Sequence, residues 1–168
     1  MDVLSILKTN LRNVSHERFT DETIEAMHKF AWEDGQDPKF IELTQDILAP
    51  VKNQGKMREA NRLFTITKSI IRYVPDPVEA EWVQSPWVTL MVKQADCDDF
   101  GVLLAAFAVA NDIPYRFITI AVITCKEFSH VYSEFYIDGE WIGVDASTRI
   151  SYFGWKPENY KRIQAWMP

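Results

Sequence analysis

Residues 95–110 read Ala95-Asp96-Cys97-Asp98-Asp99-Phe100 followed by an unbroken small and apolar run from Gly101 to Ala110. Val102, Leu103, Leu104, Ala105, Ala106, Phe107, Ala108 and Val109 are apolar nearly all round, with no polar stripe left to face water. A helix of that kind must be buried, and the pattern predicts one from Cys97 to Asn111. Downstream, strand-like runs cover Tyr115–Ile123, Phe128–Ile137 and Glu140–Val144, and Asp138-Gly139 between the last two is a strong two-residue hairpin signal. Glu158 to Trp166, after Pro157, reads as a short closing helix.

Upstream the chain reads as helices. Residues 2–12 carry Val3, Leu4, Ile6, Leu7 and Leu11 close to helical spacing. Thr20 is placed to cap a second helix, with Asp21 and Glu22 in its first turn and Ile24, Met27, Phe30 and Ala31 on one face. Asp37-Pro38 starts a third, through Phe40, Ile41, Leu43 and Ile47 and ending before Pro50. A fourth runs from about Met57 to Tyr73, with Leu63, Ile66, Ile70 and Val74 as its stripe, and Pro75-Asp76-Pro77 ends it. Residues 76–94 show no steady period and read as a long ordered loop. Helices first, then a buried helix, then an antiparallel sheet: the order says α+β. Residues 1–55 are expected to form an N-terminal helical extension on a core of residues 56–168.

The chain has 168 residues, enough to bury a core without disulfides or metals. Its net charge of −6 argues against nucleic acid or an anionic membrane as partner, since both call for clustered positive charge. The Gly101–Ala110 run is too short to span a bilayer. The N-terminus lacks the basic-then-apolar pattern of a secretory signal, so a cytoplasmic location is expected. Two cysteines, Cys97 and Cys125, make no disulfide framework.

Cys97, His130 and Asp145 follow one another in the order thiol, imidazole, carboxylate, the parts of an activated cysteine nucleophile. With Asp96 as N-cap, Cys97 falls in the first helical turn, where the helix dipole favours a thiolate. The other histidines, His16 and His28, lie in the helical half with no such signature. A hairpin turned at Asp138-Gly139 puts His130 opposite residue 147, so Asp145 lies two positions away on the same pleat face, within diagonal reach. It can then hold the ring and set its tautomer. The backbone N–H of Cys97 is a ready oxyanion donor, and Gln94 or Gln84 is a candidate for the second. Asp96, Asp98 and Asp99 could also be read with Asp145 as a cation site, but the spacing matches no loop pattern and helix capping is the simpler account. Cys97, His130 and Cys125 lack the paired-ligand spacing of a zinc site. No metal or cofactor is expected. Trp87 and Trp141 read as packing residues.

Four segments in this order resemble the transglutaminase-like branch of the papain-like cysteine enzymes: Ala95-Asp96-Cys97-Asp98-Asp99, Asp112-Ile113-Pro114, His130-Val131-Tyr132 and Trp141-Ile142-Gly143-Val144-Asp145. Ile71-Arg72-Tyr73-Val74-Pro75-Asp76-Pro77, Ser85-Pro86-Trp87 and Phe128-Ser129-His130 look most like the short members found in phages and prophages. Two positions depart from the family pattern: Ala95 and Asp112 stand where glycine is usual. The resemblance implies a cysteine-bearing helix on an antiparallel sheet, with Cys97 as nucleophile, His130 as base and Asp145 as orienting carboxylate. It implies a thiol protease or amidase cleaving a peptide, isopeptide or amide bond through a thioester. Alternatives within the resemblance are amine acyl transfer and a non-catalytic assembly module. The partner implied is a peptide or protein substrate, with a virion component as a further partner.

Overall fold

A computed structural model describes residues 8–10, 19, 21–77 and 82–168. The predicted buried helix forms as α5, Cys97–Ala110, and every residue from Cys97 to Ala108 is shut away from water. It serves as the axis of the molecule. On one side lies a four-stranded sheet in the order β7-β6-β5-β8, built from β5 (Tyr115–Val122), β6 (His130–Ile137), β7 (Glu140–Val144) and β8 (Tyr160–Trp166). All its pairings are antiparallel. Val131, Phe135 and Ile137 of β6 join the core with α5, and Gly101 lets the helix lie close to Phe117 and Ser133.

The other side of α5 is covered by helices α1 (Asp21–Gly35), α2 (Pro38–Leu48) and α3 (Lys56–Ile70). Met27 of α1 approaches Gly101, the rings of Phe40 and Phe107 lie 5.1 Å apart, and Gly35 lets α1 touch Val109 and Ala106. Asp37 caps α2 as its sequence demands, its carboxylate accepting from Lys39 N–H at 2.9 Å with Pro38 at the first helical position. The hairpin turn at Asp138-Gly139 has φ of 53° and 90°, the two positive angles that a type I′ turn requires.

Several expectations fall. Residues 160–166 are a strand, not a helix: β8 covers what would otherwise be the open edge of β5, and Trp166 Nε1 donates to Thr119 Oγ1 at 2.9 Å. Lys8–Asn10 is a short strand, β1, on the backbone of β3 (Trp82–Gln84). The rest of the expected first helix, with Thr20 and His16, lies outside the described residues. The stretch 76–94 is not loop alone. It holds β3, helix α4 (Pro86–Val92) and the first residue of β4 (Gln94–Ala95), which runs parallel to β2 (Arg72–Tyr73). Ser85-Pro86 carries the start signal for α4, although the capping oxygen comes from Asp34, which accepts from Trp87 N–H at 3.0 Å. The buried stripe of α3 is Ala60, Leu63, Phe64 and Thr67, and Ile70 is 40% exposed. Both stripes fit a helical period, and packing against α5 and α2 selects the one that carries Ala60, Phe64 and Thr67. No helix among the described residues is long and apolar enough to cross a membrane.

Candidate active site

Three elements bring the sequence-predicted residues to one end of the molecule. Ser133 Oγ donates to the carbonyl of Gly101 at 2.9 Å, tying the middle of β6 to the first turns of α5. From that tie, α5 reaches Cys97 in one turn, about 6 Å, and β6 reaches His130 in three residues, about 10 Å. Both run away from Tyr115, where β5 starts after the short link from the helix C-terminus. Cys97, the first residue of α5, and His130, the first residue of β6, therefore share the same rim. Cys97 is buried and neither cysteine is in a disulfide.

Asp145 follows the end of β7. The observed register pairs Ser133 with Val144 and Glu134 with Gly143, which sets Asp145 diagonal to His130. His130 Nε2 lies 2.8 Å from Asp145 Oδ2. Burial pushes the Asp145 carboxyl up, but the hydrogen bond and charge of His130, with hydrogen bonds from Ser147 and Thr148, outweigh it and hold the group below the ordinary carboxylate range. Asp145 is then an anion that only accepts, so Nε2 is the ring nitrogen that donates to it and Nδ1 is the one left to exchange a proton. The carboxylate is caged on every side: Oδ1 accepts from Ser147 N–H at 3.0 Å and Ser147 Oγ at 2.7 Å, and Oδ2 from Thr148 Oγ1 at 3.0 Å. The ring of Tyr132 stacks at 6.2 Å from that of His130.

The carboxyls around Cys97 depart from expectation. Asp96 sits at the N-cap position, yet its side chain makes no capping bond. Asp98 and Asp99 do not face solvent; both are fully buried. Asp99 Oδ1 accepts from Gln84 N–H at 2.6 Å and Oδ2 from the Gln84 side-chain amide. Burial first, then the charges of Asp96 and Asp76, push Asp99 well above the ordinary range, toward its neutral form. The amide of Gln84 is thus held by Asp99, with the carbonyl of Gln94 at 3.4 Å, while Gln94 is exposed on β4. Among the described residues, one trio offers atoms spaced for a metal ion: Asp96, Cys97 and Asp98, within 4.8 Å of one another. His28 lies elsewhere, half-buried against Phe117, its Nδ1 3.1 Å from Tyr115 Oη.

A model of the transglutaminase-like superfamily matches residues 41–146, spanning α2 to the residue after Asp145. The chain belongs to that superfamily. Among curated proteins no sequence relative is found. In three dimensions this transglutaminase-like chain is similar to a candidate cysteine protease from Cytophaga hutchinsonii, at 17% identity and a TM-score of 0.57 over 94% of its length. It is also similar to a candidate protease from Parabacteroides distasonis, at 14% identity and a TM-score of 0.59 over 74% of its length. It spans 61% of the first of those chains and 26% of the second. The shared architecture is the helix-on-antiparallel-sheet core that the motifs imply.

The two departures from the family pattern now have a physical account. Asp112 adopts the left-handed conformation, φ 51°, that glycine takes at a helix C-terminus. Ala95 is a buried strand residue with no positive φ, so nothing there requires glycine. Sequence reading missed what surrounds Asp145. Ser147 and Thr148 follow it directly and are the residues that fold back onto an aspartate in an Asx-type turn, so that signal was present. Lys68 gave none: it sits on α3 and reaches the same loop from far away in the chain.

Proposed function

We propose that this transglutaminase-like protein is a cysteine-dependent hydrolase of peptide, isopeptide or amide bonds. The observation that carries the reading is the His130 Nε2–Asp145 Oδ2 contact of 2.8 Å, at the rim where α5 begins with Cys97. With Nε2 given to Asp145, Nδ1 is the nitrogen left to exchange a proton with the thiol. The N-terminus of α5 favours the thiolate.

In this mechanism the thiolate attacks the carbonyl carbon, and the resulting oxyanion meets the backbone N–H of Cys97. Gln94, whose side chain is at the surface, is the stronger candidate for a second donor, because the amide of Gln84 is held by Asp99. Protonated His130 gives its proton to the leaving nitrogen, the C–N bond breaks and a thioester remains. His130 then takes a proton from water, whose oxygen displaces the thiolate to release the acid. Asp145 keeps the ring in place throughout. The superfamily chemistry supports a peptide or protein substrate, and the resemblance to short phage members adds a virion protein as a further partner.

Alkylation by iodoacetamide near neutral pH tests this, with Cys125 as the reference thiol in the same molecule. Cys97 is expected to react faster than Cys125, and His130→Ala to slow Cys97 alone. Equal rates at both thiols, unchanged by His130→Ala, would identify a non-catalytic module. Incorporation of an added primary amine into product would convert hydrolase to acyltransferase.

A further inference from the structure

Lys68 makes a set of contacts out of keeping with a surface lysine. Its ammonium donates to the carbonyl of Thr148 and to Ser151 Oγ, each at 2.8 Å, and to the carbonyl of Ser151, with the carbonyl of Arg149 at 3.4 Å. Every one of these acceptors belongs to the loop that follows Asp145. The one proton of Ser151 Oγ is shared between the carbonyl of Asp145 itself and that of Thr148, the latter at 2.7 Å. We propose that Lys68 is a positioning residue for the Asp145–His130 pair: its ammonium gathers the carbonyls of residues 148–151 and thereby sets the carboxylate that orients the imidazole.

The physical reason is electrostatic. Carbonyl oxygens turned toward one point repel each other unless a cation stands among them. The Asx-type turn of Ser147 and Thr148 fixes the loop to Asp145, but it does not fix the loop to the rest of the protein. Gly154 N–H on the Gly143 carbonyl and Phe153 against Phe64 hold its far end, and Lys68 anchors the part next to Asp145 from α3, whose Leu63, Phe64 and Thr67 are locked in the core. Burial lowers the Lys68 pKa while the charge of Asp145 raises it, so the cation and the carboxylate feel each other across the loop.

The kinetic part of the test rests on the function proposed above; the spectroscopic part does not. In Lys68→Met the hydrogen-bonded Nε2 proton of His130, read by NMR, is expected to broaden or vanish. Alkylation of Cys97 should fall by about 10- to 100-fold, the scale of a small misplacement of a reacting group. In the Asp145→Asn background Lys68→Met should add nothing further. A variant that keeps the His130 proton signal and the rate while losing only thermal stability would overturn the proposal, as would effects of the two substitutions that multiply. If Lys68→Met does not fold, Ser151→Ala removes the central hydroxyl with less damage and is held to the same outcomes. If Asp145→Asn leaves Cys97 alkylation untouched, the hydrolase reading fails, and the NMR signal alone still decides the role of Lys68.

Discussion

The two ends of α5 solve opposite problems. At its C-terminus the chain leaves the helix through a set of hydrogen bonds. Asp112 N–H reaches the Val109 carbonyl at 3.2 Å and Ile113 N–H the Ala108 carbonyl at 2.8 Å, the pairing of a Schellman motif. Lys56 Nζ donates to the Asn111 carbonyl at 2.6 Å, and the Asn111 amide to Glu59 at 3.1 Å. At its N-terminus Asp96, Asp98 and Asp99 are all buried within one turn of a buried thiol. Closing a helix needs only local partners. Burying three carboxyls together costs free energy that packing must offset, and such costs concentrate where chemistry is done.

The comparison breaks most readily at the close approach of α1. A Cβ at Gly35 would lie 2.7 Å from Val109 Cβ and 2.9 Å from the Ala106 carbonyl. Gly35→Ala should therefore destabilise the protein by about 2 kcal/mol, the scale of overpacking. Gly101→Ala, whose Cβ would meet nothing nearer than 3.5 Å, should be neutral or gain up to about 1 kcal/mol from helix propensity. Urea unfolding midpoints decide. Equal midpoints for the two variants would mean the packing against the C-terminal half is no tighter than against the N-terminal half.

Asp99 sharpens the picture of the other end. Its folded pKa is raised, so the folded chain holds a proton that the unfolded chain releases above about pH 4. That contribution to stability is present at lower pH and is lost as pH rises through the folded value. Asp99→Asn cannot lose it. With the Gln84 amide turned so that its Oε1, which has no hydrogen-bond partner, meets the new NH2, the variant should melt higher than the parent at pH 7, with a difference that shrinks toward pH 4 as both sides become neutral. Parallel melting curves across that range would show that Asp99 is ionised in the folded protein. The smallest effect is expected at Asp112→Gly, which removes a side chain from a left-handed residue and should stabilise by a few tenths of a kcal/mol. A loss of stability there would mean the carboxylate has a partner worth more than the backbone strain.

Legibility followed the reach of the forces involved. The span of α5, the hairpin at Asp138-Gly139 and the cap at Asp37-Pro38 are written in neighbouring residues, and each formed within a residue or two of expectation. The hairpin register also put Asp145 diagonal to His130, because a two-residue turn leaves no freedom to slip. β8 was not legible. Tyr160 to Ala165 are exposed along their length, so no hydrophobic period distinguishes strand from helix, and the open edge of β5 makes the choice. The stripe of α3 was misread for a related reason: Ile66 and Ile70 are apolar, but the neighbours of the helix fit Ala60 and Thr67. Around the candidate site, the Cys97, His130 and Asp145 segments stood out as motifs. The buried state of Asp98 and Asp99, the Gln84 contact and the reach of Lys68 did not.

Taken alone, the chain of amino acids determined which segments could be buried, where two of its turns must bend and which side chains were chemically equipped to react. These are properties of contiguous residues, set by side-chain size, polarity and backbone freedom. Only the folded molecule decided which carboxyls lost their water, which glutamine was tied down and which lysine crossed from α3 to the loop behind Asp145. Those outcomes depend on what approaches from elsewhere in the chain, and no local pattern encodes a neighbour that arrives from 80 residues away.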